Sequence, residues 1–313
     1  MKALITGASG FVGTFMTRAV MNKGIDVLGV SRSTSFKNGI ETGDYRCDIL
    51  DKESLKEILN SYKPNYIVHL AGPAYIPDCF NRPEYTYDTI FTGTLNLLES
   101  IRELQLVTRI LYVSSADIYG GATKGVLSEE DPYEPNNPYS SAKACAELLC
   151  KQYYLSYGMD ILIARPFNHT GPGQSTDFVC SSFAYQVAQM KRNGKQELYT
   201  GNIDVKRDFL DVRDVVEAYL CILEKGVIGD VYNVCSGNAT PIRDIVNILF
   251  QQAGIVDPII RIDQKKIRKT DIKVRLGDNS KLTLTLNWKP KYTIEETIAD
   301  LFIYWKENIH VKE

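Results

Sequence analysis

Lys2-Ala3-Leu4-Ile5-Thr6-Gly7-Ala8-Ser9-Gly10-Phe11-Val12-Gly13 opens the chain, and its reading decides the fold. Lys2–Thr6 is a compact apolar run of strand type. Three glycines follow at GxxGxxG spacing, and Phe11–Lys23 then shows helical spacing. Glycine spacing alone is weak, and a purely structural turn would satisfy it. A strand directly before it and a helix directly after it supply the context of a dinucleotide loop. Without Cβ atoms, main-chain N–H groups approach a pyrophosphate at the helix N-terminus, where the helix dipole favours an anion. Gly7, Gly10, Phe11, Val12 and Gly13 are therefore expected to hold a dinucleotide.

The same rhythm continues outward. Asp26–Val30, Tyr66–Leu70 and Arg109–Ser114 are further apolar runs, separated by the helical stretches Asp51–Ser61 and Tyr87–Leu104. Strands covered on both faces read as continuous apolar runs, and their alternation with helices predicts βαβ units. The expected class is α/β: a Rossmann-type doubly wound parallel sheet with a smaller C-terminal substrate-binding lobe. Residues 1–166, with interleaved returns near 205–235, are assigned to the Rossmann domain and 167–313 mainly to the lobe. In the second part, helices are expected over Phe178–Arg192, from Asp211, after Pro241 and over Thr293–Asn308, with strands at Val205–Leu210 and Val231–Cys235. Pro241 suits the first turn of its helix.

Composition excludes several classes of function. Lys+Arg is 36 against Asp+Glu 38, a net charge of −2 that gives no basis for broad nucleic-acid binding. No apolar run approaches the roughly 18–20 residues of a membrane span. Seven scattered cysteines without a CxxC pair, and only three histidines, make zinc an unattractive reading and point to reduced thiols in a cytoplasmic protein.

An acid at the end of the second strand would bind the ribose of NAD. The chain instead reads Val30-Ser31-Arg32-Ser33. A guanidinium there forks onto a 2′-phosphate, so NADPH is the expected cofactor, with NADH possible and Arg32 then a surface charge. Asp48 either caps a turn or touches the adenine. Ile49, Leu70 and Ala71 complete the expected cofactor contacts.

Tyr139-Ser140-Ser141-Ala142-Lys143 places a phenol and an ammonium at i and i+4, on one helix face, after a helix-starting Pro138. A nearby ammonium lowers a tyrosine pKa and makes it a usable proton donor or acceptor for a ketone/carbinol pair. Such pairs are common on solvent-facing helices. Weight comes from Leu111-Tyr112-Val113-Ser114-Ser115, an apolar strand ending in hydroxyls at the carboxyl end, where such sheets bind ligands. Ser115 is then expected to hydrogen-bond a substrate oxygen beside Tyr139.

Taken with HLAG at 69–72, SSADIYG at 114–120, RPFNHTGPGQ at 165–174, RDFLDVRDVV at 207–216 and VYNVCSG at 231–237, the chain resembles, over nearly its whole length, the extended short-chain dehydrogenase/reductases acting on nucleotide sugars. The resemblance implies Ser115, Tyr139 and Lys143 as the catalytic set. It also implies a nucleotide-sugar substrate, no membrane or nucleic-acid partner, and a homodimer formed by helices near 87–104 and 138–157. The stretch 165–174 with Asp177-Phe178-Val179 is similar to the GDP-mannose branch. Dehydratases of that kind carry an Asp–Glu pair after the catalytic hydroxyl, where this chain has Ala116-Asp117. The resemblance therefore implies the NADPH-dependent reductases of the branch, acting on the 4-keto group of a GDP-linked 6-deoxy sugar. A 4-epimerase recycling NAD, or a reductase of a dTDP-, UDP- or CDP-linked sugar, stays open. One departure is Ile90, where relatives carry a backbone-bridging Asn.

Asp117 and Asn168 are further substrate candidates, Asn168 alternatively a turn former. Arg207 and Arg268 are candidates for diphosphate or ribose contacts, or else surface charges. Phe178 and Val179 either line the base pocket or belong to helix core. His69 reads as a packed histidine.

Overall fold

A computed structural model describes residues 1–32, 45–121, 125–264 and 272–309. The chain runs β1 (Lys2–Thr6), α1 (Phe11–Asn22), β2 (Asp26–Ser31), β3 (Tyr45–Arg46), α2 (Lys52–Tyr62), β4 (Tyr66–His69), α3 (Ile76–Asn81), α4 (Pro83–Tyr87), α5 (Gly93–Glu103), β5 (Arg109–Val113), α6 (Pro138–Tyr157) and β6 (Ile161–Pro166). It continues through β7 (Asn168–Thr170), α7 (Val179–Asn193), β8 (Glu197–Thr200), β9 (Lys206–Asp211), α8 (Val212–Lys225), β10 (Val231–Val234), β11 (Ala239–Pro241), α9 (Ile242–Ala253), β12 (Ile259–Ile262), β13 (Val274–Arg275), α10 (Ser280–Leu286) and α11 (Ile294–Asn308).

Seven strands form one sheet in the order β3-β2-β1-β4-β5-β6-β10, every pair parallel. Its interior strands are apolar throughout because both faces are covered; all six residues of β6 are buried. Met16 and Val20 of α1 meet Val215 and Tyr219 of α8 in the core on one side. Leu55 and Leu59 of α2, Leu97 of α5 and Ala146 of α6 fill the other. The strand order reverses between β1 and β4, the point where such sheets bind ligands at their carboxyl ends.

The smaller lobe is built on β9, paired with β11, β13 and β7, while β8 pairs with β12. Phe183, Leu249, Phe302 and Trp305 from α7, α9 and α11 form its core. Between β9 and β11 the chain returns to the main sheet through α8 and β10, which interleaves the two parts.

Two sequence expectations need correction. Tyr87–Leu104 is not one α-helix: α4 passes through a π-helical turn, Asp88–Thr92, before α5 begins at Gly93. Apolar spacing hardly registers one residue of added winding. Pro241 does not sit in the first turn of α9. It ends β11 in an extended conformation opposite Lys206 and caps the helix from outside. Among the described residues, no helix is long and apolar enough to cross a membrane.

Candidate active site

The glycine loop joins β1 to α1 at the switch point. Gly7 has φ +72°, and a Cβ on it would stand 2.9 Å from the Ala71 nitrogen, so the loops after β1 and β4 touch here. A Cβ on Gly13 would lie 2.2 Å from the Gly7 carbonyl oxygen, where α1 closes down on the loop. Gly10 caps α1 with no side-chain acceptor, which leaves the first-turn N–H groups to an anion. The Phe11 ring stacks on His169 at 6.4 Å and 8°, tying α1 to β7. Val12 packs against the core. This cradle fits a dinucleotide pyrophosphate.

His69 holds the switch point from below. Thr94 donates its hydroxyl to the Ile90 carbonyl at 2.5 Å, so the His69 Nε2–H donates to Thr94 Oγ1 at 3.0 Å. Nδ1 then accepts from the Thr6 hydroxyl at 2.6 Å, and Thr6 Oγ1 accepts the Ala71 N–H at 3.2 Å. Burial, with the Lys143 charge adding, pushes the ring's pKa down to about 3. The ring is neutral and packed, as its sequence position suggested. Ile90 is buried and brings no polar group to replace the expected Asn. Asn96 bridges backbone instead, donating to the carbonyls of Ile49 and Leu50 at 3.2 Å.

At the adenosine end, Ser31 is buried and Arg32 exposed. The Arg32 guanidinium lies 5.3 Å from the Tyr85 ring centroid, with Arg82 at 4.1 Å from the same ring. Asp48 forms the turn cap: its carboxylate accepts the Leu50 N–H at 3.0 Å. The side chain of Ile49 is in the core, and Leu70 packs against the core. A contact from Ile49 to a cofactor would therefore come from its backbone, whereas Leu70 is half-buried and keeps part of its side chain at the surface.

The candidate reacting groups stand at the end of β5. Ser115 Oγ accepts the Asp117 N–H at 3.1 Å and caps a single 3-10 turn, Ala116–Tyr119. Helix α6 starts through a reciprocal cap between Asn137 and Ser140 with Pro138 in its first turn, which fixes Tyr139 at the helix entrance. Tyr139 stands beside Ser115, close enough for the serine hydroxyl to act on its phenol. Lys143 is buried, donates to the Val113 carbonyl at 2.7 Å and lies 5.2 Å over the Tyr112 ring. Burial pushes its pKa down to about 8. The Tyr139 phenol stands above its ordinary value; burial is the main cause, the Asp117 charge adds to it, and the Ser115 hydroxyl opposes it. The expected lowering by Lys143 is not formed in this arrangement. Helical spacing does put both groups on one face, but the long lysine stem carries Nζ onto β5.

On the substrate side, Asp117 pairs with Arg275 of β13, which also donates to the Gly120 carbonyl at 2.9 Å. Arg275 stands opposite Arg207 of β9 in register. Arg207 is anchored by donation to the carbonyls of Lys206 and Ile272 at 2.8 and 2.7 Å. Asn168 lies in β7, half-buried, beside Phe209. Phe178 caps α7 and meets Tyr75 edge-on at 6.2 Å, and Val179 is exposed; neither joins the core of the lobe. Arg268 lies outside the described residues. Arg275, seven positions on in the same basic stretch, is the arginine seen at the catalytic turn. Only the pairing of the two-residue β13 distinguishes it.

The family model described as GDP-mannose 4,6 dehydratase matches residues 4–301. The chain belongs to this family. GDP-6-deoxy-D-mannose reductase of Pseudomonas aeruginosa is 36% identical over 311 residues, with 98% of each chain covered. GDP-mannose 4,6-dehydratase of Yersinia enterocolitica is 28% identical over 344 residues, covering 96% of this chain and 92% of its own. Among solved structures, RMD of P. aeruginosa complexed with NADPH superposes with a TM-score of 0.85 at 35% identity, covering 98% of this chain and 99% of its own. UDP-glucose 4-epimerase of Thermotoga maritima with UDP-glucose superposes at 0.90 and 26% identity, covering 99% of this chain and all of its own. In this chain the catalytic hydroxyl candidate is followed by Ala116, which has no proton to give, and by Asp117, which is engaged with Arg275.

Proposed function

We propose that the chain is an NADPH-dependent reductase of the 4-keto group of a nucleotide-linked 4-keto-6-deoxy sugar, GDP-4-keto-6-deoxy-D-mannose being converted to GDP-D-rhamnose. The observation that carries this is the placing of Tyr139 beside Ser115 at the carboxyl end of β5, next to Lys143 and the glycine cradle, in a site whose Asp117 is held in an ion pair. NADPH, when bound, supplies the hydride. Ser115 donates to the carbonyl oxygen and polarises it. Tyr139 keeps its proton at neutral pH because burial raises its proton affinity, and it delivers that proton to the new alkoxide. Lys143 fixes the floor of the site through Val113. Arg207 and Arg275 offer their guanidinium groups to the diphosphate, Asn168 a side-chain amide, and Phe178 with Val179 an apolar wall for the base. Ala116 and a paired Asp117 leave no free acid–base pair for water elimination.

The test is NADPH consumption by the purified protein on GDP-4-keto-6-deoxy-mannose generated in situ, beside the dTDP-linked 4-keto-6-deoxy-glucose. Consumption with the GDP sugar is expected. Consumption with the other sugar alone moves the base assignment, and interconversion of sugar isomers over tightly held NAD replaces the reading by the epimerase. In the same assay Arg32→Ala is expected to weaken NADPH by roughly 10-fold or more, the loss of a charge-assisted pair of about 1.5–3 kcal/mol, and to leave NADH nearly unchanged. Equal weakening of both cofactors would remove Arg32 as the 2′-phosphate reader.

Cys145, Leu148 and Leu155 line one exposed face of α6, with Leu148 52% and Leu155 77% exposed. That face supports a homodimer, which light scattering checks against twice the 35.2 kDa chain; a monomeric mass overturns it. Seven free cysteines suit a cytoplasmic location.

A further inference from the structure

Arg275 belongs to the smaller lobe but works on the catalytic turn. Its Nη1 pairs with the Asp117 carboxylate and its Nη2 donates to the Gly120 carbonyl at 2.9 Å. These two acceptors bracket the turn Ala116–Tyr119, and the Asp117 N–H of that turn occupies a lone pair of Ser115. That bond ties the position of Ser115 Oγ to the peptide of the turn. Arg275 therefore holds the peptide that aims the catalytic serine.

The strap carrying Arg275 is itself firmly seated. Leu127 donates its N–H to the Leu276 carbonyl at 2.9 Å and accepts from Asp278 at 2.8 Å. The buried Asp208 carboxylate accepts the N–H groups of Ser236, Gly237 and Gly277 at 2.7, 3.0 and 3.3 Å. The guanidinium thus projects from a fixed base, and its side chain is 11% exposed. Its Nε is buried with no partner among the described residues. A buried N–H without an acceptor is unfavourable, and an incoming oxyanion would relieve it. Arg207 stands opposite Arg275 in register, so a second guanidinium is carried by the same strand pair.

We propose that Arg275 is a positioning residue that couples the nucleotide-sugar lobe to the catalytic serine. Its two Nη atoms grip the turn beneath Ser115, and its Nε is left for an oxygen of the substrate diphosphate. Occupancy of the lobe then firms the turn, so a remote part of the substrate contributes to turnover and not to affinity alone. The class of ligand rests on the reductase reading above.

Hydrogen exchange of the peptide spanning residues 115–121, in the full chain with GDP as probe, tests the coupling without turnover. GDP is expected to slow exchange of this peptide in the unsubstituted protein by about 3-fold or more, and not at all in Arg275→Met, whose turn exchanges about 10-fold faster at the outset. Asp117→Asn keeps the backbone N–H and the shape but breaks the pair, and serves if Arg275→Met fails to fold. Each single variant is expected to lower kcat roughly 10- to 100-fold with NADPH Kd unchanged, and the double variant to be no worse than either. Arg275→Lys, which restores a charge to Asp117, is expected to recover part of kcat but not the response to GDP. An exchange rate indifferent to GDP, or effects of Arg275→Met and Asp117→Asn that multiply, overturns the proposal. Absence of keto-sugar turnover in the unsubstituted protein would sink the reductase reading alone, because the exchange measurement still decides the coupling.

Discussion

Tyr139→Phe is expected to lower kcat by about 10²–10⁴-fold, the range of one general acid, with NADPH Kd changed by less than about 2-fold. The substitution removes one oxygen from a ring held at the entrance of α6 by the Asn137–Ser140 cap. The helix, the glycine cradle and the Lys143–Val113 bond are untouched. What disappears is the O–H beside Ser115 to which the proposed mechanism assigns protonation of the alkoxide. Water would have to replace it, without the positioning the helix supplies. NADPH consumption gives kcat and a fluorescence titration gives Kd. Turnover close to that of the unsubstituted protein would remove Tyr139 as proton donor and leave Ser115 as the candidate.

Glu147→Ala carries the largest expected loss of stability. Arg165 and Glu147 are 1% and 0% exposed, and Arg165 Nε and Nη2 both donate to the Glu147 carboxylate, the closest contact at 2.7 Å. Arg165 Nη1 donates to the Tyr119 hydroxyl at 2.8 Å and to the Glu129 carbonyl at 2.9 Å, and the Tyr119 hydroxyl donates to Asn233 Oδ1 at 2.7 Å. The network ties β6, α6, the catalytic turn and β10 together beneath the site. Removing the carboxylate leaves a guanidinium charge under the sheet, which costs about 3–5 kcal/mol. For a chain of this length that is a fall in Tm of roughly 10 °C. A neutral pair such as Glu147→Leu with Arg165→Met is expected to recover much of the loss, because it strands no charge.

The pH dependence of that variant has a definite sign. Burial alone would raise the Glu147 pKa, and the Arg165 charge and hydrogen bonds override it, so the folded value lies below the ordinary 4.5. The stabilisation is then complete above the unfolded value and is lost as the pH falls through the folded one. The gap between Glu147→Ala and the unsubstituted protein should narrow on acidification. A gap below about 1 kcal/mol at neutral pH would show that the buried charge finds another partner.

Much of this site was legible before any coordinates. The glycine loop, the hydroxyls ending β5 and the YxxxK helix are local patterns, each completed within a dozen residues and each flanked by an element of clear period. The acid-free end of β2 is likewise a statement about two or three neighbours. Arg275 was not legible, because β13 is two residues long and its significance lies in pairing with a strand some 70 positions earlier. The aim of Lys143 was not legible either, since the Val113 carbonyl that captures it belongs to another element.

By itself the sequence determined the class of fold and pointed to the dinucleotide cradle and to the candidate reacting side chains, because backbone geometry and side-chain chemistry at short range are properties of neighbouring residues. Tertiary structure alone decided where charge resides. It sent the Lys143 ammonium to β5, raised the proton affinity of Tyr139 by burying it, made His69 neutral and engaged Asp117 with an arginine from the other lobe. The physical reason is that desolvation and ion pairing depend on distances through space, and those distances are set only when the elements pack against one another.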